Sequence, residues 1–332
     1  MSWYNENGPE NSYVISSRAR LARNLKGFRF PIAMSSDEAK KVIELVKDAL
    51  EPVIANYNIV NLWETDENQI KILVEKHLIS PAFKKGIRTA FVSKDENISI
   101  MVNEEDHIRI QCFAAGRDAE KALDMCKKIE KLLSEKLTFA YDGKYGYLTE
   151  CPTNCGTALR ISEMVHLPAL VAGGHMPQIL NECQRYGMTL RGVYGEESKA
   201  SGAVYQISNQ CSLGLDKYYI LKRFNAMTRY IISLEENART GLKENLSPEL
   251  KDKILRSLGI LKSSYMLSSE EFMELQSAVK LGMYLGEIKN DPALLTKLWV
   301  DTAPSSIGIA DPTLRDIQRA QIVKERLKEY VI

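Results

Sequence analysis

The sequence predicts an α+β protein: a mostly antiparallel sheet flanked by helices, followed by an all-helical C-terminal domain. Three observations carry this. Short β-rich runs at 70–74, 87–93, 98–102 and 108–113 are separated by polar turns such as Asp95-Glu96-Asn97, and the last three lie so close together that they suit an antiparallel meander. Two long segments keep the 3.6-residue apolar period of helices lying on a sheet. Beyond Leu213 the strand signals fade, and helix starts such as Ser247-Pro248, Ser268-x-x-Glu271 and Asp311-Pro312 take over. The expected division is a mixed domain over 1–246 and a helical domain over 247–332.

A chain of 332 residues can bury a large core and form two domains. Its 44 Lys and Arg nearly cancel its 43 Asp and Glu, and a net charge of +1 points to neither direct nucleic-acid binding nor a membrane surface. Any electrostatic function must be local. No run reaches the roughly 18 apolar residues of a spanning helix, and the N-terminus lacks the basic and apolar regions of a leader. Six cysteines without a CxxC pair fit a reducing, cytoplasmic setting, and four scattered histidines suggest no zinc site.

Taken in order, the segment 14–25 places Arg18 and Arg20 two residues apart, on one face at strand spacing, where they can grip one anion together. The capping box Ser35-x-x-Glu38 opens a helix with Ala39, Val42, Ile43, Val46, Ala49 and Leu50 on its buried stripe, stopped by Pro52. The run 98–102 ends in Asn103-Glu104-Glu105-Asp106-His107-Ile108-Arg109; three adjacent acids do not serve packing, so a cation is expected to dock there. A second helix buries Ala119, Ala122, Leu123, Cys126, Ile129 and Leu133.

Residues 138–149 suit a hairpin with a tight primed turn at Asp142-Gly143. It leads to Cys151-Pro152-Thr153-Asn154-Cys155-Gly156-Thr157-Ala158-Leu159-Arg160 and a helix-like run over 161–166, whose N-terminus would favour an anion and lower the Cys151 thiol pKa. Further on, Arg191-Gly192-Val193-Tyr194-Gly195-Glu196 begins a glycine-rich loop able to close over a ligand, before a strand-like run at 203–210 and one helix over 218–242. Each of these segments alone also fits a plain structural or surface role: a solvated turn, a basic face, a turn cysteine, an exposed loop.

Together they offer five arginines that could converge, Arg18, Arg20, Arg109, Arg160 and Arg191, with two separate glutamate loops and one thiol. Several guanidinium forks suit a polyphosphate, of which ATP is the obvious example. GxxxxGK[ST], HRD and DFG are all absent, so neither the P-loop nor the ordinary protein-kinase apparatus is present.

The segments Ile15-Ser16-Ser17-Arg18-Ala19-Arg20, Asn103 to Arg109, Cys151 to Thr157 and Arg191 to Glu196, in that order, resemble the signature set of the phosphagen (guanidino) kinases. Over essentially its whole length the chain is similar to the bacterial protein-arginine kinases of that family. The resemblance implies that the five arginines, with Ser16 beside them, cradle the phosphates of ATP with Mg2+. It also implies that Glu105 and Glu196 hold the guanidinium next to Cys151, that Glu104 and Asp106 support them, and that His166 contacts the adenine. Arg315-Asp316-Ile317-Gln318-Arg319-Ala320 resembles the RDxxRA element of the same kinases, implying a second, phosphoarginine-binding pocket at Arg315, Asp316 and Arg319.

Implied partners are protein substrates with exposed arginines, among them a CtsR-like heat-shock repressor, an McsA-like activator and a Clp ATPase and protease. A homodimer is expected because Leu250, Ile254, Leu258, Phe272, Leu275 and Val279 exceed what short helices can bury alone. Relatives acting on small guanidino compounds carry a helical N-terminal domain of about a hundred residues, an ordinary domain size. Here Arg18-Ala19-Arg20 comes almost at once, so that cover is expected to be missing and the site open to an arginine on another protein. Tyr194 stands where those relatives tend to have arginine, and Cys155 replaces a usual leucine. The rival readings are a small-molecule guanidino kinase and a non-catalytic nucleotide-binding adaptor.

Overall fold

A computed structural model describes residues 2–83, 86–193, 200–289 and 291–328. Its centre is an eight-stranded sheet. The first strand, β1 (Val14–Arg23), precedes helix α1 (Ser36–Leu50), where the Ser35 and Glu38 capping box forms as the sequence predicts. Strand β2 (Tyr57–Asn61) leads to α2 (Glu67–Glu75), then to the meander β3 (Thr89–Ser93), β4 (Ile98–Val102) and β5 (Ile108–Ala115), and to α3 (Ala119–Ser134). A small hairpin, β6 (Tyr141–Asp142) and β7 (Gly146–Tyr147), precedes β8 (Leu159–His166). Two helices, α4 (Pro168–Ala172) and α5 (Met176–Arg185), lead to β9 (Met188–Gly192) and β10 (Val204–Asn209). The long α6 (Lys217–Glu244) is followed by α7 (Pro248–Ser263), α8 (Ser269–Leu285), α9 (Pro292–Asp301), α10 (Pro304–Ile307) and α11 (Pro312–Leu327). Every neighbouring pair of strands is antiparallel, in the order β2-β3-β4-β5-β1-β8-β10-β9.

Three local expectations are corrected. Residues 70–74 are helix, not strand: Asp66 accepts from Asn68 N and Gln69 N, and this cap commits an apolar run of ambiguous period to α2. Residues 161–166 are strand, not helix. As part of β8 they lie between β1 and β10 and are buried on both faces, so the alternation that marks a half-exposed strand is absent. The hairpin turn holds three residues, because Asp142 pairs with Gly146 and its carboxylate accepts from Lys144 N and Tyr145 N, fixing a wider turn than the primed pair.

The sheet has two covered faces. One packs on α1, α3, α5 and α6 through Val42, Leu50, Leu123, Leu133, Ile179 and Ile231. The other carries Met101, Phe113, Met164 and Val204, and its core is shared with Ile254, Leu258, Phe272, Val279, Trp299 and Val323 of the later helices. The apolar residues of α7 and α8 set aside above for a dimer partner are therefore taken up inside this chain: Ile254, Leu258, Phe272 and Val279 are at most 2 % exposed. No helix among the described residues is long and apolar enough to cross a membrane.

A buried polar layer fastens α4, α6 and α8 to the sheet. Glu235 accepts from Ala169 N and Leu170 N and holds Arg239 at 2.6 Å, while Arg239 donates to the carbonyls of Ser12 and His166. Beside it Lys280 is 9 % exposed and donates to Thr296 Oγ1 at 3.0 Å, and burial pulls its amine down to about 7. Between about pH 7 and the ordinary lysine value of 10.5 the unfolded chain binds the proton that the folded chain sheds, so stability rises with pH across that window. Lys280→Met should stabilise the fold by about 2 kcal/mol at neutral pH and flatten this slope. Urea melts at neutral and mildly alkaline pH check it; a less stable variant with the slope retained would contradict it.

Candidate active site

Strand register places the five arginines on one face. In β1, Arg18 pairs with Phe113 of β5 and Ser162 of β8; Arg20 pairs with Gln111 and Arg160; Ala22 pairs with Arg109. Directly opposed residues share a face, as do alternate residues along a strand. Arg18, Arg20, Arg109 and Arg160 therefore project together. The same reasoning runs from Ser162 to Ser208 of β10, from Met164 to Gln206, and from Gln206 to Arg191 of β9. Arg191 thus stands at the sheet edge on the same side.

Serines in the same plane aim the guanidinium groups. Arg18 Nε donates to Ser162 Oγ at 3.3 Å, and Arg160 Nη2 donates to Ser208 Oγ at 3.1 Å. Arg20 Nε is buried without a partner. Burial, then Arg160 and Arg109, pull the Arg18 guanidinium down to about 10. Burial followed by Arg18, Arg160 and Arg109 pushes Arg20 well down, and burial followed by Arg191 and Arg109 lowers Arg160. All remain cations at neutral pH. The arrangement is unfavourable by itself and is relieved by a multiply charged anion.

Ser16, Arg18, Arg20, Arg109 and Ser162 line a cavity of about 440 Å³. A smaller adjoining cavity of about 160 Å³ shares Arg20 and Arg109 and adds Arg160, Glu105, Asn154 and Cys211. Arginines thus divide a larger chamber from a smaller one that holds Glu105.

The acidic turn between β4 and β5 sends its three acids in three directions. Asn103 occupies the left-handed region at φ 63°, where asparagine is tolerated, and its side chain donates to Ala39 O at 2.9 Å. Glu104 is buried; it accepts from Ser80 Oγ and pairs with Arg109 Nη1 at 2.6 Å. Glu105 is half-exposed and pairs with Arg109 Nη2 at 3.1 Å. Asp106 is fully buried and accepts from Asn24 Nδ2 at 2.6 Å and Glu150 N at 2.9 Å. The cation expected at this stretch is Arg109 itself, held by two carboxylates. His107 is structural: Nδ1 accepts from Leu25 N, Nε2 meets Arg29 O at 2.7 Å, and burial lowers its pKa.

Cys151 is partly exposed at the start of a short 3-10 turn, Pro152–Asn154, with its Sγ 3.0 Å from Thr153 Oγ1. The helix N-terminus expected to act on it is absent, because 161–166 is strand. His166 is likewise corrected: it is 2 % exposed, Nε2 meets Ser277 Oγ of α8 at 2.8 Å, and it lines neither chamber. Met164, two residues earlier on the same face, does line the larger one. Glu196 and Tyr194 lie outside the described residues.

Sequence reading missed His77, which follows α2 and lines the larger chamber with its Nε2 buried and unpartnered. Burial and Arg18 push its imidazole down to about 4, so it is neutral at physiological pH. The C-terminal pair separates. Arg319 is 1 % exposed and donates to Thr302 O, Leu267 O and Asp316, whereas Arg315 lines a different, open groove.

The family described as ATP:guanido phosphotransferase, C-terminal catalytic domain, matches residues 40–238, and that described as protein-arginine kinase McsB C-terminal domain matches 247–331. The chain belongs to the ATP:guanido phosphotransferase family, in its protein-arginine kinase branch. It is 44% identical to the protein-arginine kinase of Clostridium novyi (strain NT), covering 98% of each chain, and 42% identical to that of Clostridium acetobutylicum, covering 98% of this chain and 99% of the other. Among solved structures, lombricine kinase is similar at TM-score 0.63 and 22% identity over 71% of this chain and 70% of that one. A duplicated taurocyamine kinase from Schistosoma mansoni, with transition-state-analogue components bound, is similar at TM-score 0.62 and 22% identity over 82% of this chain and 40% of that one. Those two likenesses establish the fold of a guanidino phosphotransferase.

Arg20→Ala should leave the unliganded protein as stable as before, because it relieves like-charge repulsion, yet weaken ATP binding about tenfold or more. Thermal melts with and without MgATP check this. A full nucleotide-induced shift in the variant would contradict it.

Proposed function

We propose that this protein transfers the γ-phosphoryl group of MgATP to the guanidinium of arginine side chains in other proteins. The observation that carries the reading is Glu105, held on Arg109 where the two chambers meet. The triphosphate lies along the arginine face, and the acceptor guanidinium enters beside Glu105. Among the described residues no group of three or more His, Cys, Asp or Glu could hold a metal ion, and a floor of guanidinium donors suits phosphate oxygens; Mg2+ arrives as part of the MgATP substrate.

A guanidinium has a pKa above about 12, so its nitrogen is a poor nucleophile until a carboxylate takes a proton from it. In the step proposed, an acceptor nitrogen forms a bond to the γ-phosphorus as the bond to the β,γ-bridging oxygen breaks. The electron pair leaves on ADP, and the proton passes to Glu105 or Glu196. Arg18, Arg20, Arg109, Arg160 and Arg191 neutralise the phosphoryl oxygens, and the Cys151 thiol steadies the acceptor.

The name carried by the similar Clostridium proteins supports a protein acceptor. So does the partial exposure of Glu105, which an arginine on a protein surface can reach. On this reading the kinase acts in the cytoplasm on unfolded proteins and a CtsR-like repressor, marking them for a Clp protease, with an McsA-like activator. Of the residues expected to bind phosphoarginine for regulation, Arg315 in the open groove is the one placed to meet it, while Arg319 is held on Asp316 behind. A second copy of the chain is a further proposed partner.

With MgATP and an unfolded acceptor, acid-labile phosphate should appear on arginine by mass spectrometry, and free arginine should be turned over far more slowly. Glu105→Gln and Glu196→Gln should each lower transfer by about a hundredfold or more while ATP still binds. Comparable turnover of free arginine would favour a small-molecule guanidino kinase. Unchanged turnover in both variants would remove the glutamates from the mechanism.

A further inference from the structure

Three cavities meet at one carboxylate outside the machinery described above. Glu75, the last residue of α2, lines the phosphate-side chamber, a cavity of about 710 Å³ beside Arg319, and the open groove beside Arg315. Its side chain is fastened to the C-terminal helices. The two oxygens accept from Ser305 N at 3.0 and 2.9 Å, and Oε1 also accepts from Ser305 Oγ at 2.9 Å, which satisfies an otherwise free amide at the start of α10.

Two residues later His77 sits at φ 59°, in the left-handed region at a helix exit where glycine is usual. Its N–H bonds Val74 O, and Leu78 N bonds Leu73 O, so the exit is closed like a glycine-capped one. A side chain held in that conformation costs about 1 kcal/mol or more and persists where its surroundings over-determine it. Those surroundings are identifiable. Gln111 Nε2 donates to His77 O at 3.1 Å from the sheet, and the imidazole meets the ring of Trp299 in α9 edge-on at 6.5 Å. On its other side Ser80 of the same connection holds Glu104, which holds Arg109. The wall of the chamber at 77–81 is thus gripped between the sheet and the C-terminal helices.

We propose that Glu75 is a positioning residue for nucleotide binding: by tying the end of α2 to α10, it makes the C-terminal helices hold His77 and the adjoining wall against the phosphate-side chamber. The inference rests on that chamber taking the nucleotide. Glu75 meets no reacting atom in this account, so its loss acts on nucleotide affinity and leaves the chemical step alone.

Glu75→Ala should raise KM for MgATP roughly tenfold with kcat within about twofold, and calorimetry should show nucleotide Kd rising by the same factor. Glu75→Gln, which keeps an oxygen acceptor for Ser305, should recover most of the affinity. Wild-type KM and Kd in Glu75→Ala would overturn the proposal whatever happens to its melting temperature, as would a fall in kcat alone. Should Glu75→Ala fail to fold, Ser305→Ala, which deletes one of the three bonds, is read the same way, with about a threefold rise in Kd expected and no rise overturning the proposal. Failure of the wild-type protein to bind MgATP would instead overturn the reading of the chamber.

Discussion

Five guanidinium groups held on one face of an antiparallel sheet, against their mutual repulsion, are the constraint on which the rest depends. Flexible loops would let such charges drift apart. Here the backbone of four strands fixes their spacing: Arg18 and Arg20 stand two residues apart on β1, with Arg109 and Arg160 on its two neighbours and Arg191 at the edge. The depressed values of Arg18, Arg20 and Arg160 have a common origin in burial and shared positive charge. An anion bound among these groups offsets both penalties, so the scaffold favours a polyphosphate there.

The same logic explains the acidic turn. Three adjacent carboxylates are tolerable because two of them share Arg109 and the third is satisfied from behind by Asn24 and the Glu150 amide. Only Glu105 remains accessible. An arginine pinned by two acids lines both chambers and so connects the larger to the smaller. The later helices close the remaining flank of that sheet face, and their apolar residues, which would otherwise ask for a second chain, pack into a core that also contains Met101, Phe113 and Met164.

Much of this was legible in the sequence because β structure has a period of two, which Arg18 and Arg20 follow, and because three adjacent acids mark a turn. Arg18 and Arg20 on one face, the meander over 87–113 and the helices at 36 and 119 all follow from local pattern. Where pattern failed, the cause was tertiary. The strand at 161–166 is buried on both faces and shows no alternation; α2 depends on a side-chain cap that outweighs a β-like run. His77 was invisible because its importance lies in a left-handed backbone and a cavity formed by distant strands. His166 was misplaced because position along β8 decides whether α8 covers a residue, and no local signal carries that.

The most direct test is calorimetric titration with ATP, ADP, AMP and inorganic tripolyphosphate over a range of salt concentrations. The account predicts that affinity follows phosphate charge, that tripolyphosphate binds without any adenosine, and that both weaken steeply as salt rises. Equal affinity for AMP and ATP, with no dependence on salt, would contradict it.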